Sequence, residues 1–312
     1  MLHSPKAESM TNTELVPAPI AAPPALQLVP RRLPPDDQTV VRMWIHGKAE
    51  HTRIAYSTDY ARWRLACQTP LKYVTLEELQ AFSPVNLKDA ARPLSQASQG
   101  RAIASVKALL SFAHRLGYVQ FDVGQMLKIP SLENKLAERI LPENKVLRLI
   151  ELEPNVRNRV LLRFLYASAG RVTEVCGLVW NKIQGHEDGT GQVTFFGKGS
   201  KTRHVFMTPS VYQELMTLRG AAGDSSPVFP SRKSGHLQRA QVWRIVRAAA
   251  RRAGIDADVS PHWFRHAHAS HALDHGAPIS MVQATLGHAS IATTGKYTHA
   301  RPGDGSMRYL AV

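Results

Sequence analysis

His262-Trp263-Phe264-Arg265-His266 decides the reading of this chain, together with Leu286-Gly287-His288 and, nine positions further on, Tyr297. Upstream, Gly170-Arg171-Val172-Thr173-Glu174 opens a stretch with helical patterning. Between two strand-like runs stands Gly197-Lys198-Gly199. In chain order these segments supply Arg171, Lys198, His262, Arg265, His288 and Tyr297, a set of cationic and imidazole side chains with one phenol. A phosphodiester is the natural target of such a set.

Breaking a DNA phosphodiester by transesterification places extra negative charge on the non-bridging oxygens of a five-coordinate phosphorus. Metal enzymes neutralise that charge with divalent ions. Without metal, fixed guanidinium and imidazole donors must do it, and arginine is favoured because its fork meets two oxygens at once. Arg171, Arg265 and His288 suit that task. A tyrosine nucleophile, with an unperturbed pKa near ~10, needs a positive field or a base. His262 is a candidate base, and Lys198 a candidate donor of the proton that the departing 5′ oxygen requires.

The pieces Tyr166-Ala167-Ser168-Ala169-Gly170-Arg171-Val172-Thr173-Glu174, Phe195-Phe196-Gly197-Lys198-Gly199, the His262–His266 box, Leu286-Gly287-His288 and Tyr297-Thr298-His299 resemble the tyrosine recombinase, or phage integrase, family, including its Xer-type members. The resemblance implies that Tyr297 becomes joined to the 3′ phosphate of a cut strand. It assigns phosphate activation to Arg171, Arg265 and His288, and proton transfers to Lys198 and His262. Glu174 falls where the family often carries an acid that orients the pocket without reacting. The Gly-Lys-Gly triplet matches the family's lysine to Lys198 rather than to Lys201. Two departures stand out. The family has glycine two residues before the first arginine, where this chain has Ala169, and Trp263-Phe264 replaces the usual centre of the second box.

Thirty-nine Lys and Arg against 24 Asp and Glu give a formal charge of +15 and a pI near 10.1. That excess points to a polyanion, and nucleic acid is the expected partner. No run approaches the ~18 apolar residues of a membrane helix, and the N-terminus lacks the pattern of a signal peptide. Cys67 and Cys176 lie in apolar helical patterns and read as reduced core residues. A cytoplasmic, nucleoid-associated protein without membrane contact is the consistent expectation. His262/His266 and His271/His275 share the i, i+4 spacing of zinc ligands, but Trp263 stands where a zincin needs glutamate. No Cys or carboxylate cluster completes a site, so neither metal nor other cofactor is expected. His266, His268 and His271 read as helix-packing or DNA-facing residues.

Residues 1–35, broken by Pro17, Pro19, Pro23, Pro24, Pro30, Pro34 and Pro35, read as a disordered leader. A helical domain is expected over 36–130. Tyr56, Tyr60, Trp63 and Cys67 form one buried stripe, Thr75 and Glu78 a capping box, and Ile103, Val106, Leu110 and Ala113 the buried face of a helix closed by Gly117. This block resembles the family's core-binding domain, with Arg101, Lys107 and Arg115 as candidate phosphate contacts. Lys201 and Arg203, on the hairpin, join them as candidate DNA contacts. Residues 131–142 read as a linker. The catalytic domain is expected over 143–312, with helices near 143–151, 156–168, 210–219, 239–253, 261–275, 279–286 and 290–298. Strands are expected at Gln192–Phe196 and His204–Met207.

The fold expected is mainly α: a helical core-binding domain, then a tyrosine-recombinase catalytic domain with a small antiparallel sheet. The activity implied is site-specific cutting and rejoining of double-stranded DNA, without metal or ATP. The family works as a tetramer on two DNA sites through a four-way junction, and Met307, Tyr309 and Leu310 are candidate docking residues for a neighbouring protomer. Two alternatives stay open. A type IB topoisomerase uses a similar set of residues to nick and reseal one duplex, and a DNA-binding regulator can keep the fold without catalysis.

Overall fold

The computed structural model describes residues 33–81, 94–129, 136–197 and 202–298. The chain divides into two compact units, at 132/133. In the first unit, helices α1 (Asp37–Ile45), α2 (Glu50–Ala66), α3 (Leu76–Ala81) and α4 (Gln96–Arg115) enclose a core of their own. Trp63 on α2 is fully buried, Cys67 at its end nearly so, and Tyr56 and Tyr60 pack partly buried beside them. Removing such faces from water, at roughly 25 cal/mol per Å², is the main stabilisation available to short helices. The capping box forms as expected, for Thr75 N–H donates to Glu78 Oε2 at 2.9 Å and Glu78 N–H to Thr75 Oγ1 at 3.2 Å. Helix α4 buries Ile103, Val106, Leu110 and Ala113. It is closed by Gly117, whose φ of 73° is left-handed and open to glycine without a Cβ penalty.

Two of the bases on α4 stand differently from the expectation. Arg101 pairs with Asp59, whose carboxylate is fully buried, and Lys107 Nζ donates to the carbonyls of Gln125 and Leu127 at 3.1 and 2.9 Å. Both side chains therefore hold the unit together, because a buried carboxylate and carbonyls at the end of the short turn Val123–Met126 each demand a donor. Arg115 lies exposed at the last turn.

The second unit begins earlier than expected. Leu141 is buried in its core, and Leu136 and Ile140 pack against a cluster that contains Tyr297. These apolar side chains make 136–142 part of the unit rather than a linker. Helices α5 (Glu143–Glu151), α6 (Val156–Ser168) and α7 (Val172–Cys176) follow. A sheet of β1 (Ile183–Gly185), β2 (Gly191–Phe196) and β3 (Thr202–Met207) is antiparallel in the order β1-β2-β3. Val193, Phe195, Val205 and Met207 point inward, and the rings of Phe195 and Phe229 pack on Phe164 of α6. Strand β1, three residues long, is too short to show alternation and was not expected. Helices α8 (Pro209–Met216), α9 (Arg239–Arg252), α10 (Pro261–Asp274), α11 (Ile279–Leu286) and α12 (Ile291–Gly295) complete the unit. Among the described residues no helix is long and apolar enough to cross a membrane.

Candidate active site

Helix α6 ends at Ala169, whose backbone is left-handed at φ 49° and ψ 25°, a conformation that costs a residue with a Cβ roughly 1–2 kcal/mol. This is the position where the family carries glycine. The surroundings hold it there. Ala169 is fully buried, and its carbonyl accepts a hydrogen bond from Arg265 Nη1 at 2.6 Å. At the next residue a Cβ would lie 2.7 Å from Val175 Cγ2 and 3.0 Å from Phe195 Cζ, so only glycine fits at Gly170. The chain is thereby pressed onto the core as it delivers Arg171 to the N-terminal cap of α7. There Arg171 N–H donates to Glu174 Oε2 at 2.7 Å and its Nη1 to Glu174 Oε1 at 3.0 Å.

Glu174 is nearly buried and takes a second arginine. Arg203 of β3 donates through Nη1 and Nη2 to its two oxygens, at 2.8 Å each. Burial by itself raises the Glu174 carboxyl, but the Arg203 and Arg171 hydrogen bonds outweigh it and hold the group below its ordinary value. Arg203 also donates through Nε to the Thr285 carbonyl at 2.9 Å, and its guanidinium lies 4.7 Å from the Phe195 ring centroid. Its side chain is only 9% exposed. Beside the expected DNA contact the structure gives Arg203 another part, that of a brace joining β3, α7 and the end of α11.

Helix α10 begins with Pro261, which suits a first helical position because no partner is needed there for an N–H. It then presents His262, Arg265 and His266 over its first turns. Arg265 is buried, and its Nη2 donates to the Leu286 carbonyl while Nη1 holds Ala169. Burial, then the neighbouring Arg171 and Arg203, lower it to about 10, which still leaves it cationic at neutral pH. His262 has an exposed edge but is held below the ordinary imidazole value by desolvation of its ring and by Arg265 and Arg171.

Helix α11 closes on Gly287, left-handed at φ 65°, where a Cβ would come within 3.0 Å of Arg203 Cδ. The turn delivers His288, whose Nδ1 lies 2.9 Å from Thr294 Oγ1. Burial first, then Arg265, Arg171 and Arg203, push His288 down to about 4, so it is neutral at pH 7. In the tautomer where Thr294 donates to Nδ1, Nε2 carries the remaining N–H. The Thr294 carbonyl accepts from Tyr297 N–H at 3.0 Å, so one buried threonine ties His288 to Tyr297. Tyr297 is 5% exposed. Burial raises its phenol, with Arg265 pulling the other way. Its oxygen lies 2.7 Å from His266 Nδ1.

Arg171, His262, Arg265, His288 and Tyr297 thus gather in one place, with Glu174 beneath them. An open cleft of about 770 Å³ runs beside them, lined by Arg171, Arg203, His204, His288, Ser290 and Thr293. Gly197 and Thr202 also line it, whereas Lys198 and Lys201 lie outside the described residues, as does the candidate tail at Met307, Tyr309 and Leu310. Sequence reasoning missed the brace role of Arg203, the Thr294 link and the contact of His266 with the phenol. The last had one signal available, since His266 sits one helical turn after His262 on the same face.

A mainly helical unit with a small antiparallel sheet, gathering two arginines, histidines and a tyrosine beside an open cleft, is the architecture expected of a protein that handles phosphodiesters. Comparison with known proteins gives the family. Residues 139–303 match the phage integrase family. The tyrosine recombinase XerD of Vibrio vulnificus strain YJ016 is 32% identical over 279 residues, covering 84% of this chain and 90% of that protein. XerD of Mycobacterium tuberculosis strain H37Rv is 35% identical over 222 residues, covering 66% and 70%. Among solved structures, a lambda integrase dimer bound to a COC′ core site shares the fold, with a TM-score of 0.68 at 16% identity over 86% of this chain and 95% of that one. The XerH site-specific recombinase in its pre-cleavage complex with difH substrate matches with a TM-score of 0.62 at 20% identity, covering 80% and 77%. The chain belongs to the phage integrase family of tyrosine recombinases.

Proposed function

We propose that this protein is a site-specific recombinase that cuts and rejoins double-stranded DNA through a 3′-phosphotyrosyl link on Tyr297, without metal or ATP. The observation that carries the reading is that Arg171 and His288 line one cleft, with buried Arg265 held beside them on the carbonyls of Ala169 and Leu286 and Tyr297 tied to His288 through Thr294. Two guanidiniums and the His288 N–H supply fixed donors for the charge that develops on the non-bridging oxygens. Tyr297 Oη attacks phosphorus, the 5′ oxygen leaves, and the bond energy is kept in the new ester until a 5′ hydroxyl from the partner strand attacks. His262 and Lys198 carry the proton transfers, and Glu174 orients Arg171.

Residues 36–130 form the core-binding half and the second unit the catalytic half. The partners are a specific DNA site and further protomers, in a tetramer spanning two sites and passing through a four-way junction. The charge of +15 supports the polyanion partner, and a cytoplasmic, nucleoid-associated location fits that substrate.

The test is covalent capture on a nicked suicide substrate. Wild-type protein should form an adduct in excess chelator, and Tyr297→Phe should bind DNA but form none. An adduct with the Phe variant removes Tyr297 from the role, and cleavage that chelator abolishes and added metal restores removes the metal-free mechanism. Relaxation of supercoils without recombination between two sites would favour a topoisomerase instead.

A further inference from the structure

The reading above leaves His266 without a task, yet His266 is the side chain that touches the nucleophile. Its Nδ1 lies 2.7 Å from Tyr297 Oη, with the two ring centroids 5.7 Å apart. Among the described residues the phenol oxygen has no other hydrogen-bond partner. His262 stands one turn back on α10, its ring centroid 6.4 Å from that of His266, so the order in space is His262, His266, Tyr297. We propose that His266 Nδ1, rather than His262 itself, is the direct acceptor of the Tyr297 proton during strand cleavage, and that His262 acts through His266 from one turn back. This rests on Tyr297 being the nucleophile.

Burial raises the Tyr297 phenol, so it keeps its proton at neutral pH. With that proton taken as the one in the bond, Nδ1 is the lone-pair nitrogen and the ring proton sits on Nε2. The groups facing His266 keep it in that neutral form. His262 and Arg265 lie on its own helix, Arg139 reaches it from the turn at 137–139, and His288 from beyond α11. Burial comes first and these neighbours follow, and together they lower His266 to about 4. With its own neighbours alone His266 is therefore a ready acceptor but a weak base. A phosphate held by Arg171, Arg265 and His288 brings negative charge among those same cations, which offsets their repulsion of an imidazolium and raises the basicity of His266 as the substrate arrives.

The step balances. The Tyr297 Oη–P bond forms as the P–O5′ bond breaks, the phenolic proton passes to His266 Nδ1, and the 5′ oxygen takes a proton from the general acid. In rejoining, the 5′ hydroxyl returns its proton to the deprotonated general acid as its oxygen attacks phosphorus, the Oη–P bond breaks, and Nδ1 returns its proton to Oη.

The experiment is single-turnover cleavage by the full chain, across a pH series, on a suicide substrate whose bridging 5′ oxygen is replaced by sulfur. That leaving group departs without a proton, so the acid drops out of the profile. In His266→Asn an amide oxygen can accept the phenol's hydrogen bond near the Nδ1 position but cannot take its proton at neutral pH. His266→Phe removes both. Both variants should bind DNA as wild type does and lose roughly 10²–10⁴-fold in rate. The wild-type rate should rise with pH to a plateau, whereas that of His266→Asn should keep rising in step with hydroxide. 3-Fluorotyrosine at position 297, a more acidic phenol, should restore much of the Asn variant's rate. A His266→Asn rate equal to wild type, or a wild-type pH profile in that variant, overturns the proposal, because a purely packing role leaves the profile unmoved. Should the variants lose their fold, the wild-type chain carrying 3-fluorotyrosine still decides. Its inflection moves down with the phenol if Tyr297 ionises unaided, which overturns the proposal, and stays in place if a histidine titrates; an inflection that then disappears in His262→Asn assigns the base to His262 and overturns the proposal too. An adduct persisting in Tyr297→Phe is a separate failure, of the nucleophile itself.

Discussion

Replacing Arg203 with alanine separates the part that the structure gives this residue from the one its sequence neighbourhood suggests. On a basic hairpin, one residue from Thr202 at the edge of the cleft, Arg203 looks like a phosphate contact. In the structure it is 9% exposed and faces Glu174, itself 7% exposed, through two 2.8 Å hydrogen bonds. Breaking a buried ion pair by removing one partner costs about 3–5 kcal/mol, because the other charge stays buried without compensation. Glu174 keeps Arg171 N–H and Nη1, which places the cost near the low end, about 3 kcal/mol. For a unit of this size each kcal/mol moves the melting temperature by about 2–4 °C, so a fall of about 6–12 °C is expected.

A functional loss should come with it, since the Nε bond to the Thr285 carbonyl holds the turn that delivers His288. Thermal unfolding by circular dichroism, beside adduct formation, reads both. Arg203→Lys should recover only part of the stability, because one ammonium cannot reach both carboxylate oxygens and the carbonyl. Glu174→Gln combined with Arg203→Ala should melt higher than Arg203→Ala alone, since the stranded charge is gone. The reasoning is refuted if Arg203→Ala melts with wild type while its DNA affinity drops and the salt slope falls by about one, the behaviour of a lost phosphate contact.

Two further outcomes follow from the buried carboxylates. Glu174 is held below its ordinary value in the folded state, so its ion pairs stabilise above the unfolded carboxyl value, 4.5, and that contribution fades as pH falls through the folded value. The stability margin of wild type over Glu174→Gln should therefore be full at neutral pH and shrink in acid; a margin that grows on acidification, measured by urea titration, contradicts the assignment. In the first unit, Asp59 is raised by burial despite Arg101 and Arg62. Because Arg101 is 43% exposed, Arg101→Ala should cost less than a fully buried pair, about 1–3 kcal/mol, and Asp59→Asn should restore much of it. Unchanged stability with a reduced salt dependence of DNA binding would return Arg101 to the DNA surface.

What the sequence made legible, and what it hid, divides along one physical line. A helical stripe such as Tyr56, Tyr60, Trp63 and Cys67 is set by a 3.6-residue period, and a capping box such as Thr75 and Glu78 by a three-residue reach, so both are written locally. The boxes around Arg171, Arg265 and His288 could be placed because their order and wording resemble those of one family, and the structure shows turn chemistry beside two of them. Gly170 has no room for a Cβ, and Gly287 has a left-handed backbone. The brace, the buried salt links and the phenol's partner are different in kind. Arg203 meets Glu174 across 29 positions, Arg101 meets Asp59 across 42, and His266 meets Tyr297 across 31. No local pattern distinguishes an arginine that will be buried from one that will face phosphate, because both alternatives satisfy the same residue. Ala169 shows how far tertiary contacts override local cost. The departure from glycine put the backbone beside Arg171 in question, yet the chain still takes the left-handed turn. A buried methyl and the Arg265 hydrogen bond to its carbonyl hold it there, as strained residues near functional sites persist only where their surroundings over-determine them. The same guanidinium that the mechanism directs at phosphate is thus also what keeps the preceding turn in shape, so in this site stability and chemistry rest on one side chain.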